Sequence, residues 1–307
     1  MFAHPLPNFT TAVLKNETDR PIEWFAHPSP ILKPYILGYR GLIMPTGLPT
    51  SFTQLVAPSG MAMLYIIFGR HSTTEVTFPD TEMEAEVSRP SQALILPRQR
   101  QWGARVSAAA DVVGVVFRPG MLTPFLNLSL HEFDDEWIKP AELWMHTPSN
   151  QLADIESLSP KARIAAIETV LIDRLQKSCL DVDPLIQRVV DSIIGCRGNV
   201  SLEVVAKTMG ISPRQLRRRF HAQVGMSPKQ LARIERFRHA SEFASKNYPT
   251  MSLASIAQQF DYFDQAHFAR DFMEFSGQTP KALALSDQHF AQNYAINLHY
   301  FEFTASS

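Results

Sequence analysis

The chain has 307 residues, is 45% hydrophobic and carries a formal net charge of -1 at pH 7. That profile excludes a fibrous, disordered or low-complexity chain and makes two soluble domains the expectation for this length. Two cysteines, Cys179 and Cys196, exclude a disulfide scaffold and a four-cysteine zinc site, and both are expected to be small buried hydrophobes. The opening MFAHPLPNFT lacks a basic stretch followed by an apolar one, and runs such as Met61 to Phe68 are too short to cross a bilayer, so the chain reads as cytoplasmic with no membrane partner.

The first half reads as β-rich. Short apolar or alternating runs lie at Phe52 to Ala57, Met61 to Phe68, Glu75 to Phe78, Gln92 to Leu96 and Asp111 to Phe117. Pro58-Ser59-Gly60, Pro79-Asp80 and Pro119-Gly120 punctuate them. Strands at this spacing favour a barrel or a sandwich, with helices flanking it. Tyr65, Trp102 and Phe117 are weak candidates for lining an effector pocket, although aromatics in such strands are more often plain core. The acidic run Glu132, Asp134, Asp135 and Glu136 has no nearby histidine and reads as a solvated helix face.

From Lys161 to Lys177 the period changes to three and four residues, with Ile164, Ile167, Val170, Leu171 and Leu175 on one face and Ser159-Pro160 as the start. That face suits either a dimerisation helix or a helix packed on its own barrel. Leu180-Asp181-Val182-Asp183-Pro184 marks the junction between a sensor or dimerisation domain (1–180) and a helical domain (181–285). An aromatic tail (286–307) with Phe290, Tyr294, Tyr300, Phe301 and Phe303 follows.

The helical domain contains a repeat. SLEVVAKTMGISPRQLRRRFHAQVGMSPK, starting at Ser201, aligns with SLASIAQQFDYFDQAHFARDFMEFSGQTPK, starting at Ser252, with one extra residue in the second turn. Ala206 falls on Ala257, Leu216 on Phe268, Phe220 on Phe272, and Gly225 on Gly277. Each copy has the grammar of a helix-turn-helix. In the first, Gly210 supplies the turn, Ser212 the cap and Pro213 the first helical position.

Taking about 100° per residue, Arg217, His221, Arg214 and Arg218 form the outward face of the first unit's second helix. The planar arginine fork can bridge guanine O6 and N7 or clamp a phosphate. The surrounding stretch is basic: Arg197, Lys207, Arg214, Arg217, Arg218, Arg219, Lys229, Arg233, Arg236, Arg238 and Lys246 stand against Glu203, Glu235 and Glu242. A linker helix from Ser227-Pro228 to about Asn247, with Leu231, Ile234, Phe237, Ser241 and Ala244 inside, would span about 30 Å. That approaches the roughly 34 Å between successive major-groove faces of B-DNA, so one chain can address two grooves.

The segments SLEVVAKTMGISPRQLRRRF, GMSPKQLARIERFRHA and DQAHFARDFMEFSGQTP resemble the AraC/XylS family of bacterial transcription regulators, over about Asp183 to Leu285. VVFRPGMLTPFL, from Val115, is similar to a segment of some sensor domains in that family. The resemblance implies an α+β chain: a cupin-like sensor followed by an all-α domain of two helix-turn-helix units on a linker helix. It implies duplex DNA as partner, a possible small-molecule effector, a homodimer and, for an activator, RNA polymerase. Expected DNA contacts are Arg214, Gln215, Arg217, Arg218, His221, Ser227, Lys229, Gln265, His267 and Arg270.

Two departures mark the second unit: Asp261-Tyr262 stands where the family usually has Gly-Phe, and Ala266 and Ala269 where small hydroxyl residues are common. Its outward face carries Ala269, Met273, Ala266 and Arg270, with Asp264, Asp271 and Glu274 nearby, acids that repel a phosphate backbone unless they pair with arginines or cap the helix, as Asp264 is placed to do, so the first unit is expected to dominate. Three other readings compete. A cupin-type metalloenzyme would need clustered ligands, and the ten histidines form no HxH or HExxH pair. Alkyl-transfer DNA repair would need a reactive thiolate, and the apolar Ile193 and Ile194 before Cys196 favour an inert one. A signal-independent DNA binder is the third. No catalytic residue, metal or cofactor is expected.

Overall fold

The computed structural model describes residues 9–10, 22–43, 51–56, 58–68, 74–77, 91–107, 111–133 and 155–285. Asp134, Asp135, Glu136 and the aromatic tail lie outside them, as does the side chain of Glu132. Two compact units emerge, one of residues 1–54, 61–96 and 104–182, the other of 55–60, 97–103 and 183–307. An antiparallel sheet region is followed by a helical one.

Nine strands are described: β1 (Phe9–Thr10), β2 (Ile22–Ala26), β3 (Ile36–Ile43), β4 (Ser51–Val56), β5 (Met63–Phe68), β6 (Thr74–Thr77), β7 (Ser91–Ile95), β8 (Trp102–Ser107) and β9 (Asp111–Phe117). Six form a sheet in the order β1-β2-β3-β9-β5-β7, and three form a second in the order β4-β8-β6. Strand β9 lies between β3 and β5 and is buried along nearly its whole length, which explains its run of valines. Strands β1, β2, β3 and β8 were not anticipated. In β3, Gly41 pairs with Trp24 of β2, and a Cβ there would overlap the indole ring. This glycine marks a close approach.

After α1 (Thr123–Leu126) and a 3-10 turn (Leu130–Glu132), α2 (Pro160–Lys177) starts at the expected Ser159 cap. Ile164, Ile167 and Leu171 are buried in the same apolar cluster as Leu64, Val113 and Phe117, with Val170 and Leu175 packed against it. The helix therefore packs on its own sheet. The apolar periodicity of its face came from that core, and the face is not available for dimerisation.

The α2 face also carries Glu168, which accepts hydrogen bonds from the Ser29 amide (2.8 Å) and the Tyr39 hydroxyl (3.0 Å). Burial, with Glu168 opposite, pushes the Tyr39 phenol well above its ordinary pKa. Glu168→Ala is expected to destabilise this unit by about 2–4 kcal/mol, because both donors would lose their acceptor in apolar surroundings. Glu168→Gln, which keeps an oxygen, should cost less. Chemical unfolding checks this, and an unchanged midpoint for Glu168→Ala would contradict it.

The second unit contains α3 (Pro184–Gly195), α4 (Leu202–Thr208), α5 (Pro213–Val224), α6 (Pro228–Asn247), α7 (Leu253–Gln259), α8 (Gln265–Ser276) and α9 (Pro280–Leu285). The α6 residues Leu231, Ile234, Phe237, Ser241 and Ala244 are all buried, as their spacing predicts. Phe237 meets Phe272 at 4.9 Å and Phe275 at 5.2 Å between ring centroids. Both cysteines are exposed, contrary to expectation. Cys179 follows the end of α2 and Cys196 caps α3, so neither shares its helix's buried face. Among the described residues, no helix is long and apolar enough to cross a membrane, and no group of three or more His, Cys, Asp or Glu could hold a metal ion.

Candidate nucleic-acid interface

The repeat persists down to individual hydrogen bonds. Ser201 caps α4 through the Val204 amide, and Ser252 caps α7 through that of Ser255. In the first turn the amides of Gly210 and Ile211 donate to the carbonyls of Lys207 and Ala206. In the second, Asp261 and Tyr262 donate to Gln258 and Ala257. Gly210 has φ +68°, and Asp261 reaches +54°. Aspartate tolerates this left-handed conformation better than most residues, and the Asp261 carboxylate accepts from the Asn199 side chain. The departure from glycine thus leaves the turn geometry intact.

The second helix of each unit is fixed at both ends. Ser212 and Gln215 form a capping box on α5, Asp264 caps α8 by accepting from the His267 amide, and Gly225 and Gly277 terminate the two helices in left-handed conformation. Leu216 and Phe220 of α5, and Phe268 and Phe272 of α8, are buried.

With those residues anchored inward, Arg214, Gln215, Arg217, Arg218 and His221 are all exposed on α5. The three arginines have no partner among the described residues, whereas the Gln215 oxygen is committed to the Ser212 amide. Arg219 points elsewhere: its guanidinium pairs with Asp183 at 2.5 Å, and Asp183 in turn caps α3 and donates its amide to Gln223. Lys229 is exposed in the first turn of α6, and the Ser227 hydroxyl accepts the Gln230 amide as that helix's cap.

On α8, Gln265, Ala266, Arg270 and Met273 are exposed. His267 is half-buried, its ring set against Tyr262 at 5.3 Å. The acids are not free. Arg233 of α6 reaches Asp271 and Glu274, each at 2.6 Å, and Asp271 is almost fully buried. Pairing with an arginine was one of the outcomes the sequence left open, but spacing could not name Arg233, which lies about forty residues away.

Other cations counted in the basic stretch are similarly occupied: Arg238 pairs with buried Glu235, Lys246 with Glu242, and Arg236 lies 5.5 Å over the Tyr262 ring. Burial, with Arg238 and Arg197 nearby, pushes the His239 imidazole down to about 4, so it adds no cation near pH 7. Among the described residues of that stretch, the exposed cations without a carboxylate partner are Arg197, Lys207, Lys229 and, together on α5, Arg214, Arg217 and Arg218.

Of the effector candidates, Phe117 is core, with its ring 5.2 Å from that of Phe125. The Tyr65 hydroxyl donates to the Met63 sulfur at 3.0 Å, and burial pushes its phenol up to about 12. Trp102 is buried and belongs to the other compact unit.

A helix-turn-helix domain family model matches residues 205–285. No curated protein matches the chain. Among solved structures, ToxT from Vibrio cholerae is similar at 11% identity, covering 77% of this chain and 98% of its own, with a TM-score of 0.40. The C-terminal domain of AraT, a response regulator from Geobacillus stearothermophilus, is similar at 23% identity, covering 35% of this chain and 89% of its own, with a TM-score of 0.32. The AraC-like transcriptional activator CuxR is similar at 12% identity over 94% of this chain and 87% of its own, with a TM-score of 0.26.

Proposed function

We propose that the chain is a DNA-binding transcription regulator of the AraC type, its residues 205–285 matching a helix-turn-helix domain, and that it recognises two adjacent major-groove segments, the first unit dominating. The observation that supports this most is the exposed cationic face of α5 (Arg214, Arg217 and Arg218), without a partner among the described residues, on a helix capped at both ends. Arginines so placed gain affinity by releasing counterions from phosphates and gain specificity by pairing with guanine. Gln215, His221, Ser227 and Lys229 flank them, while Gln265, His267 and Arg270 are the second unit's polar contacts. The N-terminal domain, about residues 1–180, serves as the sensor or dimerisation part, with a small-molecule effector and a homodimer as its proposed partners, RNA polymerase following if the chain is an activator.

The test uses the full chain and a duplex selected from a randomised library. Arg218→Ala should weaken binding more than Arg270→Ala, and base changes under the first unit should cost more than those under the second. Footprints equally sensitive in both segments, or a larger loss at Arg270, would overturn the ranking.

A further inference from the structure

The one residue inserted in the second turn relative to the first is Phe263, and it is 92% exposed. It is not an element of the core: Tyr262 fills that role, packed edge-on against Phe268 at 5.1 Å. Phe263 immediately precedes the Asp264 cap, so it stands at the leading end of α8, the end that enters the groove when such a helix reads bases. Ala266 is exposed one turn further on, and Met273 is 49% exposed. In the repeat, Ala266 falls on Arg214 and Met273 on His221, while Phe263 has no counterpart in the first unit. The acids that would repel a phosphate backbone are withdrawn, Asp264 into its cap and Asp271 and Glu274 onto Arg233.

We infer that the second unit reads thymine, its Phe263 and Ala266 side chains packing on 5-methyl groups in the major groove beside Gln265, whose amide suits the adenine N6 and N7 edge. Apolar side chains are the ordinary readers of that methyl, and glutamine of adenine. The two units then divide the work by chemistry: α5 supplies salt-sensitive attraction, and α8 supplies an apolar preference that salt leaves unchanged. This inference rests on the proposal that α8 lies in a groove.

Deoxyuridine in place of thymine removes only the methyl. In a duplex selected by the full chain, that replacement under the second unit should lower affinity about fourfold per contacted thymine, with an unchanged salt slope, and under the first unit by less than about twofold. Phe263→Ser, at an exposed position, should leave the protein folded and bind the thymine and uracil duplexes more nearly alike. Equal affinity of the native chain for both duplexes, or full discrimination retained by Phe263→Ser, would overturn the inference. A duplex left unprotected over the second segment would instead overturn the two-groove reading beneath it.

Discussion

Replacing Arg214, Arg217 and Arg218 together by alanine is expected to weaken duplex binding by at least about a hundredfold and to flatten the dependence of log affinity on log salt by up to about three units. Each side chain is exposed and has no partner among the described residues, so its removal costs little stability while taking away a charge directed at solvent. Arg219 is the internal control. Its pairing with Asp183, which caps α3, predicts that Arg219→Ala acts on the packing of α3 against α5 and lowers the unfolding midpoint as well. Binding of the triple variant within about threefold of the native chain would remove α5 from the interface.

Arg233→Ala is expected to destabilise the helical unit by about 3–5 kcal/mol, because it leaves the carboxylate of Asp271 buried without its counterion. The guanidinium also lies 5.0 Å over the Phe275 ring, so part of the loss is packing. Removing the charge on both sides, in Arg233→Met with Asp271→Asn, should recover much of the stability, since the penalty comes from stranding one charge. Urea unfolding followed through the helical signal measures both. An unchanged midpoint for Arg233→Ala would show that Asp271 is solvated or differently paired.

What was legible in the sequence was local. Ser159, Ser212 and Ser227 announce helix starts through bonds that span only three residues, and the buried stripe of α6 follows from a period of 3.6. The repeat added the second unit even where its turn departed from glycine, and the left-handed Asp261 shows why that substitution is tolerated.

What was not legible depended on partners distant in sequence. Strand β3 carries no strand signal of its own around Gly41 until Trp24 is placed across from it, and the α2 stripe does not say whether its partner is its own sheet or another copy. Charge counting along the chain gave the basic stretch more free cations than it has, because Arg219, Arg233 and Arg238 are spent within the fold. The same counting overstated the repulsion around α8. Both errors leave the α5 face as the site where unpaired positive charge accumulates.

The most direct test of that conclusion is titration of the full chain with duplex DNA at several salt concentrations, native protein beside the Arg214, Arg217 and Arg218 variant. The native chain should bind with an affinity that falls steeply as salt rises, and the variant should bind weakly with a distinctly shallower slope. No binding by the native chain, or two parallel salt dependences of equal strength, would contradict a DNA-binding face on α5.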